Sequence, residues 1–318
     1  MKMVNIGFRS TAGAGYFLAH AINRRTKHRA VDVRFITNYI RYPCMVHASD
    51  YTKDEIRRMV YKSDVVNFGI TAKPLIEGLK IDPRKLDDKT VFVYYHGTQL
   101  RVKQEKLTEE NREVLPDHIP LVSTPDLLEY VEDGEWMPVC RPFSELKARY
   151  GLSRRDRGAV RSFSRKRSVI FIHPTTSIEK KGSKTFFRAT TNVIRDRPKM
   201  RFIAVINTPW SICMRRIGEA NVMLANASLG CVSMTAVEAS LFSIPVISKL
   251  TAESRGRYVE VAGEPPPFVS WSTDGELEDK IGVLAERADV RRMLGRQVHD
   301  YLKRFHDEEP VAARYMEI

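Results

Sequence analysis

Hydrophobic residues fall in short blocks along this chain, and the blocks alternate between two periods. Runs at 4–8, 31–36, 63–70 and 90–95 are rich in Val, Ile, Phe and Tyr, the last nearly all apolar or aromatic. Between them lie stretches with apolar residues at helical spacing, such as 16–22. The stretch 52–60 opens on Thr52 with Glu55 three residues later, which is a capping-box signature. Another buried strand ends in 121–126, where Ser123 or Thr124 would cap a turn and Pro125 would take its first position. Continuous apolar strands separated by helices predict a parallel sheet covered on both faces.

The pattern lapses from about 138 to 166, a Pro-containing and basic stretch, and then resumes. Strands are expected at 168–172, 201–206, 221–225 and 245–248, with helices at 185–194 and 235–242. From Gly275 the chain is helix-rich, with Leu277, Ile281, Leu284, Leu294, Tyr301 and Leu302 on core faces. The reading is an α/β chain of two Rossmann-like β/α/β domains facing a central cleft. The N-terminal domain covers 1–140, a basic linker 141–166 and the C-terminal domain 167–300. The closing segment 301–318 is expected as a helix that crosses back to the first domain. Ligands in such sheets bind beyond the carboxyl ends of the strands, so the cleft is the expected site.

A length of 318 residues agrees with roughly two domains of about 150 residues each. The hydrophobic fraction of 43% and charged fraction of 29% are those of a globular protein in water. No apolar run approaches the roughly 18 residues that span a bilayer, and the first residues lack the apolar core of a signal peptide. A cytoplasmic protein is expected. Cys44, Cys140, Cys213 and Cys231 are far apart, which argues against a zinc site and a disulfide framework. Cys213 and Cys231 sit in apolar contexts and read as small core residues.

The net charge of +13 favours anionic partners: phosphorylated substrates, an anionic membrane surface or nucleic acid. Arg154, Arg155, Arg157, Arg161, Arg165, Lys166 and Arg167 cluster with only Asp156 among them. This is first a solvated basic linker, and second a phosphate or lipid-headgroup contact that would give peripheral membrane association. Few aromatics interleave the run, and no nucleic-acid motif is present.

Four constellations carry candidate chemistry. The loop 10–15 falls short of the dinucleotide fingerprint because position 18 is Leu, but Gly13 and Gly15 allow a small polar group to approach the backbone. His96 follows an apolar strand and precedes Gly97, Thr98 and Gln99. Alone it reads as a histidine satisfied by a loop carbonyl; in a binding loop it could bond a sugar or act as a base. The loop 173–183 places Lys181, Gly182 and Ser183 at a helix start, where a lysine can neutralise a diphosphate; otherwise its lysines are solvated. Finally, 230–248 is a small-residue turn, a helix bearing Glu238 and a short strand. N–H groups at such a helix start bind phosphate oxygens, and a part-buried Glu238 could take two hydroxyl donors from a ribose diol. No Asp-x-Asp, His-Glu-x-x-His or Gly-x-Ser-x-Gly motif occurs, so metal-centred and serine-hydrolase chemistry have no support.

Together, Lys181-Gly182 and the run Thr235-Ala-Val-Glu-Ala-Ser-Leu-Phe-Ser-Ile-Pro-Val-Ile247 resemble the retaining glycosyltransferases of the GT-B fold, of the group-1 or family-four type. His96-Gly97, the run Ser123-Thr-Pro-Asp-Leu-Leu128, Glu135-Trp-Met-Pro138 and the tail 300–315 add to the likeness. The resemblance implies a metal-independent transferase that uses a nucleotide-diphosphate-sugar as substrate and needs no cofactor. Glu238 would bind the ribose, and N–H groups around Ser233, Met234 and Thr235 the diphosphate, with Lys181 adding charge. His96 would lie near the transferred sugar as the catalytic candidate, with Gly13, Gly15 and Gly97 on the sugar or acceptor side. The acceptor (sugar, lipid or protein) is unidentified. A nucleotide-sugar epimerase, or a binding protein without turnover, could present the same residues. The chain departs from the family pattern at Thr176 and Ser177, where an Arg is common, at Gly230, where an acid is common, and at Ser233, often Gly.

Overall fold

Both halves of the chain form parallel sheets, and the helices that follow each strand are cut to cover them. The computed structural model describes residues 1–9, 12–36, 39–131, 133–151 and 168–318, with side chains except at 98–99 and 102–104. Ser10, Thr11 and the basic cluster Arg154 to Arg167 lie outside the described residues. Contacts divide the chain into two units, Met1–Pro142 with His306–Ile318, and Phe143–Phe305.

The described residues of unit 1 form seven strands: β1 (Lys2–Arg9), β2 (Arg29–Ile36), β3 (Val46–His47), β4 (Val65–Gly69), β5 (Thr90–Tyr95), β6 (Ile119–Val122) and β7 (Glu135–Trp136). They are parallel, in the order β3-β2-β1-β4-β5-β6-β7. The order reverses between β1 and β4, which opens a crevice at their carboxyl ends. Its helices are α1 (Ala14–Arg25), α2 (Lys53–Tyr61), α3 (Ala72–Leu79), α4 (Gly97–Val114) and α12 (Glu308–Glu317). The capping box of α2 forms: Thr52 Oγ1 accepts from the Glu55 N–H at 3.2 Å, and the Glu55 carboxylate accepts from the Thr52 N–H at 2.8 Å. Helix α12 is fastened to α1 by Glu308, only 3% exposed, which accepts from Arg25 Nη2 at 2.8 Å and meets His20 Nδ1 at 3.0 Å.

The described residues of unit 2 form four parallel strands, β8 (Val169–Thr175), β9 (Met200–Ile206), β10 (Val222–Asn226) and β11 (Val246–Ser248), in the order β11-β10-β8-β9. Here the order reverses between β8 and β10. Its helices are α5 (Phe143–Tyr150), α6 (Ser183–Arg195), α7 (Trp210–Glu219), α8 (Met234–Ser240), α9 (Ala252–Ala262), α10 (Asp274–Glu286) and α11 (Ala288–His306). Phe171, Phe186, Leu224, Ile247, Trp271, Leu277 and Ile281 share one core cluster.

The tail differs from the single helix expected. Helix α11 ends at His306 and α12 starts at Glu308. Asp307 breaks the run because its carboxylate accepts from the Glu308 N–H at 2.9 Å, a local N-cap that restarts the helix. Cys140, Cys213 and Cys231 are buried thiols, and Cys44 is exposed.

Candidate active site

In unit 2 the loops that leave β8 and β10 emerge side by side, because those strands are neighbours. The loop after β8 is held by its own polar groups. Thr175 Oγ1 donates to the Ser177 carbonyl at 2.8 Å and accepts from the Ser177 N–H at 3.0 Å. The N–H groups of Lys181, Gly182 and Ser183 then bond back to Ser177, Glu179 and Ile178 carbonyls. Gly182 has φ +62°, the left-handed region that glycine occupies without strain. A Cβ there would collide with Ser228 Oγ and crowd Ala227 at 2.9 Å. The Ala227 N–H donates to the Lys181 carbonyl at 2.9 Å. The Lys181-Gly182 turn is therefore locked onto the loop after β10.

That second loop is organised by Asn226, fully buried. Its Oδ1 accepts from the N–H groups of Ser228 (3.0 Å) and Leu229 (2.8 Å), and its Nδ2 donates to the Cys231 carbonyl at 3.3 Å. Gly230 has φ +69°, and its carbonyl accepts from the Thr251 N–H at 3.2 Å. A Cβ at Gly230 would run into the Thr251 methyl group. The acidic side chain that the family pattern has here is thus excluded by backbone and packing together.

Both loops deliver the start of a helix. Ser233 is the N-cap of α8, but its hydroxyl bonds Thr235 Oγ1 at 2.9 Å instead of capping. Gly182 is the N-cap of α6 and has no side chain to cap with. Neither first turn holds an acidic residue. Neither N-cap side chain caps its helix, although the Ser183 N–H of α6 is taken by the Ile178 carbonyl; Ser233 is buried while Met234, Thr235 and Lys181 are half-buried.

Two further contacts brace this corner. His173 lies within β8 rather than in the loop. Its Nδ1–H donates to the Leu224 carbonyl and its Nε2 accepts from the Ser183 hydroxyl, both at 2.7 Å. Burial, with the charge of Lys181, holds its pKa down at about 4 against the pull of the Leu224 carbonyl, so the ring is neutral at pH 7. Glu238 is 1% exposed, and its Oε1 accepts from Trp210 Nε1–H at 2.8 Å. Trp210 in turn meets the Tyr150 ring edge-on at 5.6 Å. Burial, and next the Glu238 charge, push the Cys213 thiol well up. Trp210 escaped the sequence reading because nothing in a lone Pro209-Trp210 marks which carboxylate it will meet.

In unit 1, His96 ends β5 and is the N-cap of α4, with its ring 4.2 Å from that of Tyr94. Burial, and next the charge of Arg34, press its pKa down to about 3, so it acts at neutral pH as an uncharged hydrogen-bonding group. Gly97 opens α4 with φ +30°. Gly13 is the left-handed N-cap of α1, φ +68°, where a Cβ would touch the Phe17 ring at 2.9 Å. Gly15 does admit a polar group to the backbone, but that group belongs to the chain: a Cβ there would collide with the Arg34 guanidinium and the Asp32 carboxylate. The legible signal was two charged residues two apart in an apolar strand, which places both on one face.

Among the described residues, no group of three or more His, Cys, Asp or Glu could hold a metal ion, and no helix is long and apolar enough to cross a membrane.

No protein-family model matches the sequence, and no curated protein matches it either. Solved structures do. Anabaena HepE, solved with UDP and glucose, superposes over 100% of this chain and 98% of its own at a TM-score of 0.69 and 10% identity. The chain has the GT-B fold. Sucrose-phosphate synthase from Thermosynechococcus elongatus covers 100% and 98% at 0.63 and 12% identity. A putative UDP-N-acetylglucosamine 2-epimerase from Listeria monocytogenes covers 99% and 94% at 0.57 and 12% identity. At these identities the likeness is one of fold.

Proposed function

We propose that this GT-B protein is a glycosyltransferase whose unit 2 holds a nucleotide-diphosphate-sugar and whose unit 1 serves the acceptor. The observation that carries this reading is the locked pair of loops after β8 and β10. It sets two uncapped helix starts and Lys181 at the reversal of strand order, a place suited to a diphosphate. The diphosphate is assigned to the N–H groups around Ser233, Met234 and Thr235, with Lys181 neutralising it. Glu238, oriented by Trp210, is assigned to the ribose. His96, with Gly97 and Gly13, is assigned to the transferred sugar and acceptor side, while the space at Gly15 is taken by Arg34 and Asp32.

Chemistry on this reading is retaining and metal-independent. Donor N–H groups and Lys181 stabilise the charge that grows on the departing diphosphate, work worth about 3–4 kcal/mol per well-placed donor. Neutral His96 offers a hydrogen bond to a sugar hydroxyl without adding charge. HepE, solved with UDP and glucose, supports a donor of this class.

A second reading follows from Gly230, whose geometry leaves no room for an acid: a protein that binds the nucleotide-sugar without turnover. The epimerase among the fold neighbours supports a third, in which an altered sugar is released with no acceptor. Incubation with UDP-, GDP- and ADP-sugars, read by mass spectrometry, separates them. Free nucleotide with a glycosylated acceptor is expected. Bound donor that is intact after hours would replace transfer with binding alone, and an isomerised sugar would replace it with epimerisation.

A further inference from the structure

A sheet edge invites another strand to pair with it, and proteins blunt their edges by keeping them short or covered. Among the described residues, three of the four edge strands follow that rule. In unit 1, β3 and β7 have two residues each. In unit 2, β11 has three, and Val269 bridges to it at Ile247. The fourth, β9, has seven residues, with no proline and a single charge, Arg201.

The open side of β9 follows from its bonds to β8. The Val169 N–H donates to the Lys199 carbonyl at 2.7 Å, and the Asn207 N–H to the Thr175 carbonyl at 3.2 Å. The register runs from Val169 opposite Met200 to Thr175 opposite Ile206. Odd-numbered residues of β9 therefore turn their N–H and C=O groups to β8, while Phe202, Ala204 and Ile206 turn theirs away from the sheet. Among the described residues no strand pairs on that side. The side chains of those three residues share one face, and it is apolar. The Phe202 ring meets Phe187 of α6 edge-on at 5.6 Å, both half-buried, and Ile206 is 40% exposed. An open edge beside an apolar helix face is an arrangement that takes up an extended peptide, with main-chain bonds supplying affinity and alternate side chains specificity.

Charge decides which peptide. Helix α6 and strand β9 carry Lys184, Arg188, Arg195 and Arg201, all exposed, and no acidic residue. A second copy of the chain would bring this basic edge against itself, whereas an acidic strand would meet opposite charge. We propose that the open edge of β9, with α6 beside it, docks an extended acidic segment of a partner protein by strand addition. Apolar residues of that segment lie along Phe202 and Ile206, and the alternating Asp or Glu residues lie on the side of Arg201. The proposal does not depend on the donor reading, because it uses the outer side of β9 and not the loops after β8 and β10.

The test is fluorescence polarisation with a labelled peptide of about eight alternating Val and Glu residues, enough to span β9. A Val-Lys peptide of the same length is the control, and unfolding temperatures are measured alongside. The full chain should bind the Val-Glu peptide and bind the Val-Lys peptide at least about tenfold more weakly. Ala204→Pro removes an outward N–H and leaves the β8 ladder intact, so it should keep the fold and weaken binding by about the same factor. If that variant fails to fold, the Val-Glu peptide N-methylated at every second residue gives the same reading on the wild type. Methylation in one phase should abolish binding, and in the other phase leave it. Absence of Val-Glu binding at millimolar peptide, equal binding of the two peptides, or equal binding of the two methylated phases overturns the proposal. A dimer in sedimentation velocity that Ala204→Pro abolishes would also overturn it, by giving the edge to a second copy.

Discussion

The two units share a winding pattern but divide the charge unequally. Unit 1 carries 23 Lys and Arg against 23 Asp and Glu, a net charge of zero, while unit 2 carries 29 against 16 and holds the whole surplus of +13. Their reversal points differ in kind as well. In unit 2 the crevice loops are stapled by a backbone bond between Ala227 and Lys181, and their helices start without an N-cap side-chain bond. In unit 1 the crevice is occupied by side chains of the chain itself, Arg34 and Asp32. One reversal point is shaped by backbone bonds between loops, the other by a buried pair of charged side chains.

The largest expected difference between the units is in acid. His96 and His306 of unit 1 have pKa values held down to about 3 and about 4, and His173 of unit 2 to about 4, in each case chiefly by burial. These folded values lie below the unfolded one near 6.5, so the unfolded chain binds more protons. Stability is full above pH 6.5 and falls as pH drops toward the folded values, by about 2 kcal/mol per histidine at pH 5. His118 of unit 1 is held down too, again chiefly by burial, so hydrogen exchange at pH 7 and 5 should show unit 1 weakened roughly two to three times as much as unit 2. Equal loss would mean the burial of these rings is not what separates them.

Next comes Gly182→Ala. A left-handed alanine pressed onto Ser228 and Ala227 should cost about 3 kcal/mol and loosen the staple between the two loops. Chemical denaturation reads the loss, and a loss under about 1 kcal/mol would show that the loops are not locked. Glu238→Gln keeps an acceptor for Trp210 and should leave the fold intact while weakening donor binding about tenfold, or about 1.4 kcal/mol. An unchanged Michaelis constant for donor would contradict the ribose role. The smallest expected effect is that of salt: raising it from about 50 to about 200 mM should weaken UDP binding severalfold, since unit 2 carries the positive surplus of the sequence. Insensitivity to salt would separate its charge from donor capture.

Much of this was legible in the chain because periodicity reports burial. The alternation of apolar runs and helical stretches implied parallel doubly wound sheets, and Thr52 with Glu55 named its own helix start. Lys181, Gly182 and Ser233 to Thr235 could be read from residue type alone as lying at loop-to-helix turns. What stayed hidden depended on contacts distant in sequence. Trp210 reaches Glu238 across 28 positions, Gly230 is closed by Thr251, and Arg34 lies in the space of Gly15. Nothing local distinguishes Trp210 or Gly230 from ordinary core or turn positions, and the two charges of Asp32 and Arg34 in an apolar strand show their shared face but not what they meet. The break at Asp307 was local and could have been seen, as an Asp before two glutamates is a helix-starting pattern.

The central claim is that unit 2 binds the diphosphate of a nucleotide-sugar, and thermal unfolding with and without donor tests it most directly. A nucleotide-sugar at about 100 times its dissociation constant should add roughly 2.7 kcal/mol and raise the melting temperature by several degrees, with the rise lost in Gly182→Ala. No rise with UDP-, GDP- or ADP-sugars at millimolar concentration would contradict it.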